Sequence, residues 1–331
     1  MVNIPNEIIS LEQQLVDGNE LDLDEIYLLL YDFQSTTNSI YQSYLKQLKF
    51  DKRYPDLCEI PFLPISFYKY YAIKSGKWEE ELIFKSSSTT GKGRSKHYLK
   101  SENLYKAVSK NIFETLFGSL SQYKFAALLP GYLERGESSL VYMVNSFMDA
   151  GRFKNSGFFL DQYKKLKDWI EADTSQEVIL FGVPFAFIKC FNEIGAQQWN
   201  HVRIIETGGM KGQSKEMTKA ELHKFINDAF QPKSVMSEYG MTELLSQAYS
   251  IRNFSFQQPQ TMSIFIRELN DPFSEPIIHR PGTLNIFDIA NIYTCSFIET
   301  EDLALQNAIG EFEILGRIDN RELRGCNLLA V

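Results

Sequence analysis

The chain has 331 residues, 44% of them hydrophobic and 14% aromatic, enough for one large or two medium domains with a sizeable core. A formal net charge of −8 argues against a nucleic-acid-binding face. Cys58, Cys190, Cys295 and Cys326 are widely spread without metal-ligand spacing, which excludes a zinc framework and points to free thiols in a reducing cytoplasm. The start lacks the basic segment and apolar run of a signal peptide, and the longest apolar runs are too short to span a bilayer.

Residues 7–50 carry helical periodicity through Ile8, Leu11, Leu15, Ile26, Leu30, Phe33 and Leu45. The aromatic-rich stretch 61–72 reads as packing. Residues 82–85 form a strand, the Ser/Thr/Gly run after it a turn, and 96–99 a return strand. A helix follows over about 101–120, with Ser101 as its N-cap. Alternation then sets in. Strands are expected at 125–129, 178–182, 202–206 and 234–237, and helices at 161–172, after Pro184, and at 218–230; residues 140–147 fit either a strand or a short helix. Strands separated by helices imply a sheet covered on both faces, with ligands at the carboxyl ends of its strands. From about residue 259 short β runs dominate: 262–267, 283–288, 294–298 and 311–315. The organisation expected is a helix-flanked α/β core over 1–258 and a β-rich subdomain over 259–331.

Three segments carry chemistry. The first comprises Ser86, Ser87, Ser88, Thr89, Thr90 and Gly91, followed by Lys92 and Arg94. Hydroxyls, backbone N–H groups and a glycine that allows close approach suit phosphate oxygens, and the basic residues would neutralise them. It is not a Walker loop, because no Gly-Lys-Ser/Thr opens a helix; a polar hairpin turn fits the same residues. The second runs Tyr239, Gly240, Met241, Thr242, Glu243. Tyr239 offers a flat face for a purine, Thr242 a hydroxyl for phosphate, and Glu243 a hard oxygen ligand for Mg²⁺. A helix start favoured by the dipole fits equally well. The third pairs Asp302, placed to accept from ribose hydroxyls, with Arg317; each is equally compatible with the surface.

Taken in order, Ser-Ser-Ser-Thr-Thr-Gly, Tyr-Gly-Met-Thr-Glu, Glu-Asp-Leu and Gly-Arg-x-Asp-Asn resemble the core motifs of adenylate-forming enzymes (acyl-CoA synthetases, luciferases and peptide synthetases). Arg94-Ser95 after the hydroxyl loop, the run Gly208 to Gly212, and the ending Glu-Leu-Arg-Gly-Cys326 resemble the LuxE-type acyl-protein synthetases more closely. The resemblance covers about residues 60–331. It implies an α/β adenylation fold and attack of a carboxylate on the α-phosphate of ATP to give acyl-adenylate and pyrophosphate. By similarity, Ser86 to Gly91 grip the β- and γ-phosphates. Gly208, Gly209 and Tyr239 frame the adenine, and Met210, Gly240 and Met241 complete the nucleotide-binding set. Thr242 meets the α-phosphate, Glu243 the magnesium, Asp302 the ribose, and Arg317 stands at the hinge.

Two departures stand out. Ser88 occupies a position usually held by glycine. Full-length relatives continue after the hinge arginine into a small domain with a catalytic lysine, whereas fourteen residues and no lysine follow Arg317 here. Lys85, Lys92, Arg94 and His97 are the candidates for compensating charge. The resemblance also assigns Cys326 as the acyl-accepting thiol, assisted by Arg321 and Arg324; a buried structural cysteine in a last strand is the alternative. Cys58, Cys190 and Cys295 are expected in the core, and His201, His223 and His279 as solvated or structural. The segments 142–147 and 183–191 would line an acyl pocket or belong to the core. A carboxylic, fatty acid would then be the substrate, with a reductase, carrier protein or small nucleophile as onward acceptor. Ligation to CoA or an amine without acyl-enzyme, and a non-catalytic nucleotide-binding role, are the rival readings.

Overall fold

The computed structural model describes residues 4–86, 93–130, 137–153, 156–208, 217–269 and 271–318. Three helices open the chain: α1 (Asn6–Asp17), α2 (Leu23–Thr37) and α3 (Ser39–Gln47). Asn38 both ends α2 and caps α3, its Oδ1 accepting from the N–H groups of Ile40 and Tyr41. The short strand β1 (Leu63–Pro64) precedes the hairpin of β2 (Leu82–Lys85) and β3 (Lys96–Leu99). Helix α4 (Glu102–Phe117) begins at Ser101, whose Oγ accepts from Leu104 N at 3.1 Å as expected for the cap.

The alternating part follows as β4 (Tyr123–Leu128), α5 (Ser139–Ala150), β5 (Gly157–Phe158), α6 (Tyr163–Glu171) and β6 (Glu177–Gly182). It continues as α7 (Pro184–Ile194), β7 (Val202–Thr207), α8 (Lys219–Phe230) and β8 (Ser234–Tyr239). Strands β4, β6, β7 and β8 are parallel neighbours, so their carboxyl ends lie along one edge. The segment 140–147, open in the sequence, is helical: Ser138 caps it, and Met143, Val144 and Phe147 bury one stripe. Aromatic contacts place α4 and α5 on one face of the sheet, through Phe113 against Tyr249 and Phe147 against Phe125 and Phe181. On the other face α7 seats Phe187 over Gly182, and α8 sends His223 to Ser237.

Beyond β8 come β9 (Ala248–Arg252), β10 (Ser255–Gln257), β11 (Met262–Arg267), β12 (Gly282–Asp288), β13 (Phe297–Gln306) and β14 (Phe312–Arg317). These strands are antiparallel to one another. The β10–β14 pairing, Phe256 opposite Phe312, joins them to the parallel strands in one hydrogen-bonded network. Strand β13 starts at Phe297, not at Thr294. The residues before it are held by side chains of α2 and its cap: Gln34 donates to Asn291 O and Ile292 O, and Asn38 to Thr294 O.

Candidate nucleotide site

The base of the hydroxyl loop is closed from both sides. Strands β2 and β3 pair from Leu82–Leu99 to Lys85–Lys96. One step further Ser86 N donates to Ser95 O at 3.1 Å, and Ser95 N donates to Ser86 Oγ at 3.0 Å. Arg94 does not project freely: its Nε donates to Ser86 O at 2.7 Å and its Nη1 pairs with Glu137 at 3.2 Å. Lys85 pairs with the same carboxylate and holds its pKa below the ordinary value. Both cations therefore share their charge with Glu137. Ser87, Ser88, Thr89, Thr90, Gly91 and Lys92 lie outside the described residues, as do Gly209, Met210 and Cys326.

The second and third segments meet. Tyr239, at the end of β8, packs its ring against Phe256 and Phe312 at 5.8 and 5.7 Å between centroids. Its hydroxyl donates to Asp302 Oδ2 at 2.8 Å, across 63 residues of sequence. Asp302 and Arg317 face each other in the β13–β14 ladder, and Arg317 Nε lies 3.3 Å from Asp302 Oδ1. Burial pushes the Asp302 pKa up and Arg317 draws it back. Glu243 is buried beside this pair. Burial raises its pKa, while Ser95, Arg317 and Lys69 oppose the shift. Gly208 ends β7 with φ 76°, a left-handed turn that favours glycine, and nothing lies where its Cβ would be.

The backbone that presents Thr242 and Glu243 is held by side chains that sequence reasoning assigned otherwise or missed. His97 was expected to supply charge at the phosphates. Instead it is fully buried: Nδ1 bonds Thr242 O at 2.8 Å, Nε2 bonds Thr294 Oγ1 at 3.2 Å, and Tyr68 meets its ring edge-on. Burial lowers its pKa to about 4, so at neutral pH the ring is uncharged and positions the loop. Asn291 donates to Glu243 O at 3.0 Å. Asp288, fully buried, accepts from Leu245 N (2.8 Å), Ser246 N (3.1 Å), Ser246 Oγ (2.7 Å) and Ala290 N (3.1 Å). The available signal was two polar residues, Asp288 and Asn291, inside the apolar run 286–293.

On the α8 face, the buried Glu206 carboxylate gathers Lys219, Ser237 and, at 3.5 Å, His223. His223 is thus part of a network, and His201 bonds Ile170 O at 3.3 Å. Cys190 and Cys295 are fully buried with pKa values pushed up to about 12, inert core thiols; Cys58 is half-buried. Among the described residues no group of three or more His, Cys, Asp or Glu is placed to hold a metal, and no helix is long and apolar enough to cross a membrane. A single carboxylate such as Glu243 still fits Mg²⁺ carried largely by phosphate oxygens and water.

A mixed sheet with helices on both faces and these loops at its strand ends is the fold of the adenylate-forming enzymes. ATP-bound MatB from Rhodopseudomonas palustris superimposes with a TM-score of 0.54 at 15% identity, over 73% of this chain and 49% of that one. MenE from Bacillus subtilis with AMP gives 0.52 at 16%, over 71% and 49%. An open 2-hydroxyisobutyryl-CoA ligase with 2-HIB-AMP and CoA gives 0.61 at 11%, over 93% and 70%. The chain thus spans about half the length of MatB and MenE. No curated protein matches it in sequence. The profile of the LuxE acyl-protein synthetases matches residues 20–330, and the chain belongs to that family.

Proposed function

We propose that this protein activates a carboxylic acid with ATP and passes the acyl group to Cys326. The observation that carries the reading is the Tyr239–Asp302–Arg317 constellation beside Glu243, which unites two distant motifs in a member of the LuxE family. A carboxylate oxygen of the acid attacks the α-phosphorus, the bond to the β-phosphate bridge breaks, and pyrophosphate leaves. The Cys326 thiolate then attacks the acyl carbonyl carbon, and AMP departs with the electron pair of the anhydride bond.

Each described residue has a part in this reading. Tyr239 lays its ring against the base and orients Asp302 toward the ribose hydroxyls. Arg317 keeps Asp302 charged and adds positive potential near the phosphates. His97 and Asn291 fix the Thr242–Glu243 backbone, so the Thr242 hydroxyl meets the α-phosphate without reorganisation. Glu243 would hold Mg²⁺, which supplies charge neutralisation on the phosphate oxygens. Arg94 sets the base of the hydroxyl loop. The described chain leaves at Ile318, whose N–H donates to Glu301 O at 2.8 Å, next to Asp302. From there the eight residues to Cys326 reach up to ~28 Å if extended, enough to return to the site.

The aromatic segments expected to line an acyl pocket are largely core: Phe147 and Phe187 are fully buried, and Tyr142 bonds Glu102. A fatty chain is therefore not part of this proposal. A reductase or carrier protein as onward acceptor, and a cytoplasmic setting, remain proposals from family membership. Incubation with ATP, Mg²⁺ and a panel of labelled acids tests the reading. Acid-dependent ATP–pyrophosphate exchange and hydroxylamine-labile label on the Cys326 peptide are expected. Exchange without label moves the acceptor elsewhere. Binding of ATP without exchange for any acid overturns the activity.

A further inference from the structure

Glu238 and Tyr239 are neighbours on β8 and face opposite sides of the sheet. Tyr239 turns to Asp302. Glu238 sits in a row with Thr207 of β7 and Tyr249 of β9, its partners in the two ladders, on the side covered by α4 and α5. Thr207 Oγ1 donates to Glu238 Oε2. The other oxygen, Oε1, leans under Gly240, so close that a Cβ at that position would collide with it. The same point lies 3.5 Å from Gln247 Cγ, which brings the Gln247 side chain alongside.

This row leaves buried polar atoms unpaired. Glu238 is 6% exposed, Gln247 3% and Tyr249 0%. Gln247 Oε1 and the Tyr249 hydroxyl have no hydrogen-bond partner. Among the described residues no cation is bonded to Glu238. A buried carboxyl without a cation, next to a buried amide oxygen without a donor, is a costly arrangement that calls for a partner. Burial pushes the Glu238 pKa up to about 7, with Glu206 adding to the rise and Thr207 and Lys219 opposing it. Gly240, beside Oε1, is exposed at the edge where Thr242 is presented.

We propose that Glu238, with Gln247 and Tyr249, forms a polar subsite that receives a hydrogen-bond donor at the far end of the acid substrate. The inference rests on acid activation at the neighbouring site and narrows its substrate class to carboxylic acids bearing an ammonium or hydroxyl group. The nucleotide lies on the Tyr239 side of β8, the tail of the acid on the Glu238 side, and the two meet at Gly240. Oε1 lies under Gly240, and Thr242 stands two residues further on, at most about 7 Å along the chain, so the donor stands a handful of bonds from the carboxyl.

The test compares hexanoate, ω-hydroxyhexanoate and ω-aminohexanoate on the whole chain, by calorimetric binding with AMP present and by ATP–pyrophosphate exchange. The wild type is expected to bind one or both donor-bearing acids at least about tenfold more tightly than hexanoate. Preference for the amino acid over the hydroxy acid assigns an ammonium, and the reverse a hydroxyl. Glu238→Leu should erase the advantage while keeping or improving hexanoate binding, and Glu238→Gln, which preserves shape, should keep part of the hydroxyl preference. Equal or tighter binding of hexanoate overturns the subsite, as does an advantage that survives Glu238→Leu, or no binding of any of the three below about 10 mM. Exchange driven best by hexanoate would remove the subsite and leave acid activation standing. Glu238-dependent binding without exchange for any acid would remove activation and leave the subsite.

Discussion

Replacing Tyr239 by Phe removes one hydroxyl and leaves the ring contacts with Phe256 and Phe312 in place. The lost bond is the 2.8 Å donation to Asp302 Oδ2, a hydrogen bond to a buried carboxylate. Bonds to charged partners contribute ~1.5–3 kcal/mol, and the remaining partner cannot replace it. Arg317 approaches the other oxygen at 3.3 Å from a side chain that is 72% exposed, where solvent weakens the attraction. Urea unfolding at neutral pH should therefore show a loss of ~1.5–3 kcal/mol. A double-mutant cycle with Asp302→Asn should return a coupling of at least ~1 kcal/mol. Calorimetry should show ATP affinity lowered about tenfold, because Asp302 loses the bond that aims it. A coupling below ~0.5 kcal/mol together with unchanged ATP affinity would refute the assignment of this pair as the link between the two motifs.

Three further outcomes are expected. The folded pKa of His97, about 4, lies below its ordinary 6.5, so its stabilising contribution is complete above pH 6.5 and is lost as pH falls toward 4. At ~1.36 kcal/mol per unit this slope amounts to no more than ~3.4 kcal/mol, and a His97→Gln variant followed by urea unfolding across that range should lack it; parallel curves would contradict a buried neutral imidazole. Asp288→Asn sets an amide among four donors and should cost ~3 kcal/mol in the same assay, with exchange activity falling through loss of loop order; a cost under ~1 kcal/mol would deny the carboxylate its anchoring part. Gly240→Ala drives a methyl against Glu238 Oε1 and should cost ~1–3 kcal/mol, a penalty that Glu238→Ala relieves; no relief would mean the close approach is not the cause.

The sequence spoke clearly where local pattern decides structure. The apolar runs of β4, β6 and β7 read as buried strands because their side chains alone demand burial. Ser101 read as a cap because a hydroxyl ahead of Glu102 satisfies an otherwise orphaned N–H. Helix α5 stayed open because a continuous apolar run carries no period, and only its fit between α4 and the sheet selects the helix. Strands β9 and β10 were missed: Ala248–Arg252 mixes polar and apolar residues, and the hairpin bends at Asn253 and Phe254, both with positive φ, where Phe gives no turn signal. The motif residues were legible, but their fixation was not. His97 bonds Thr242 and Thr294, 145 and 197 residues away, so nothing near it in the chain reveals that its nitrogens are occupied. Glu238 likewise carries no local signal between Ser237 and Tyr239; only the ladders set it against Thr207 and Tyr249.

The most direct measurement is a crystal structure of the protein with ATP and Mg²⁺ bound. The ribose hydroxyls should lie within hydrogen-bond distance of Asp302, the base against Tyr239, the α-phosphate at Thr242, and the metal between Glu243 and the phosphates. A nucleotide bound away from Asp302, or none bound at millimolar ATP, would contradict the convergence of these segments on one ligand.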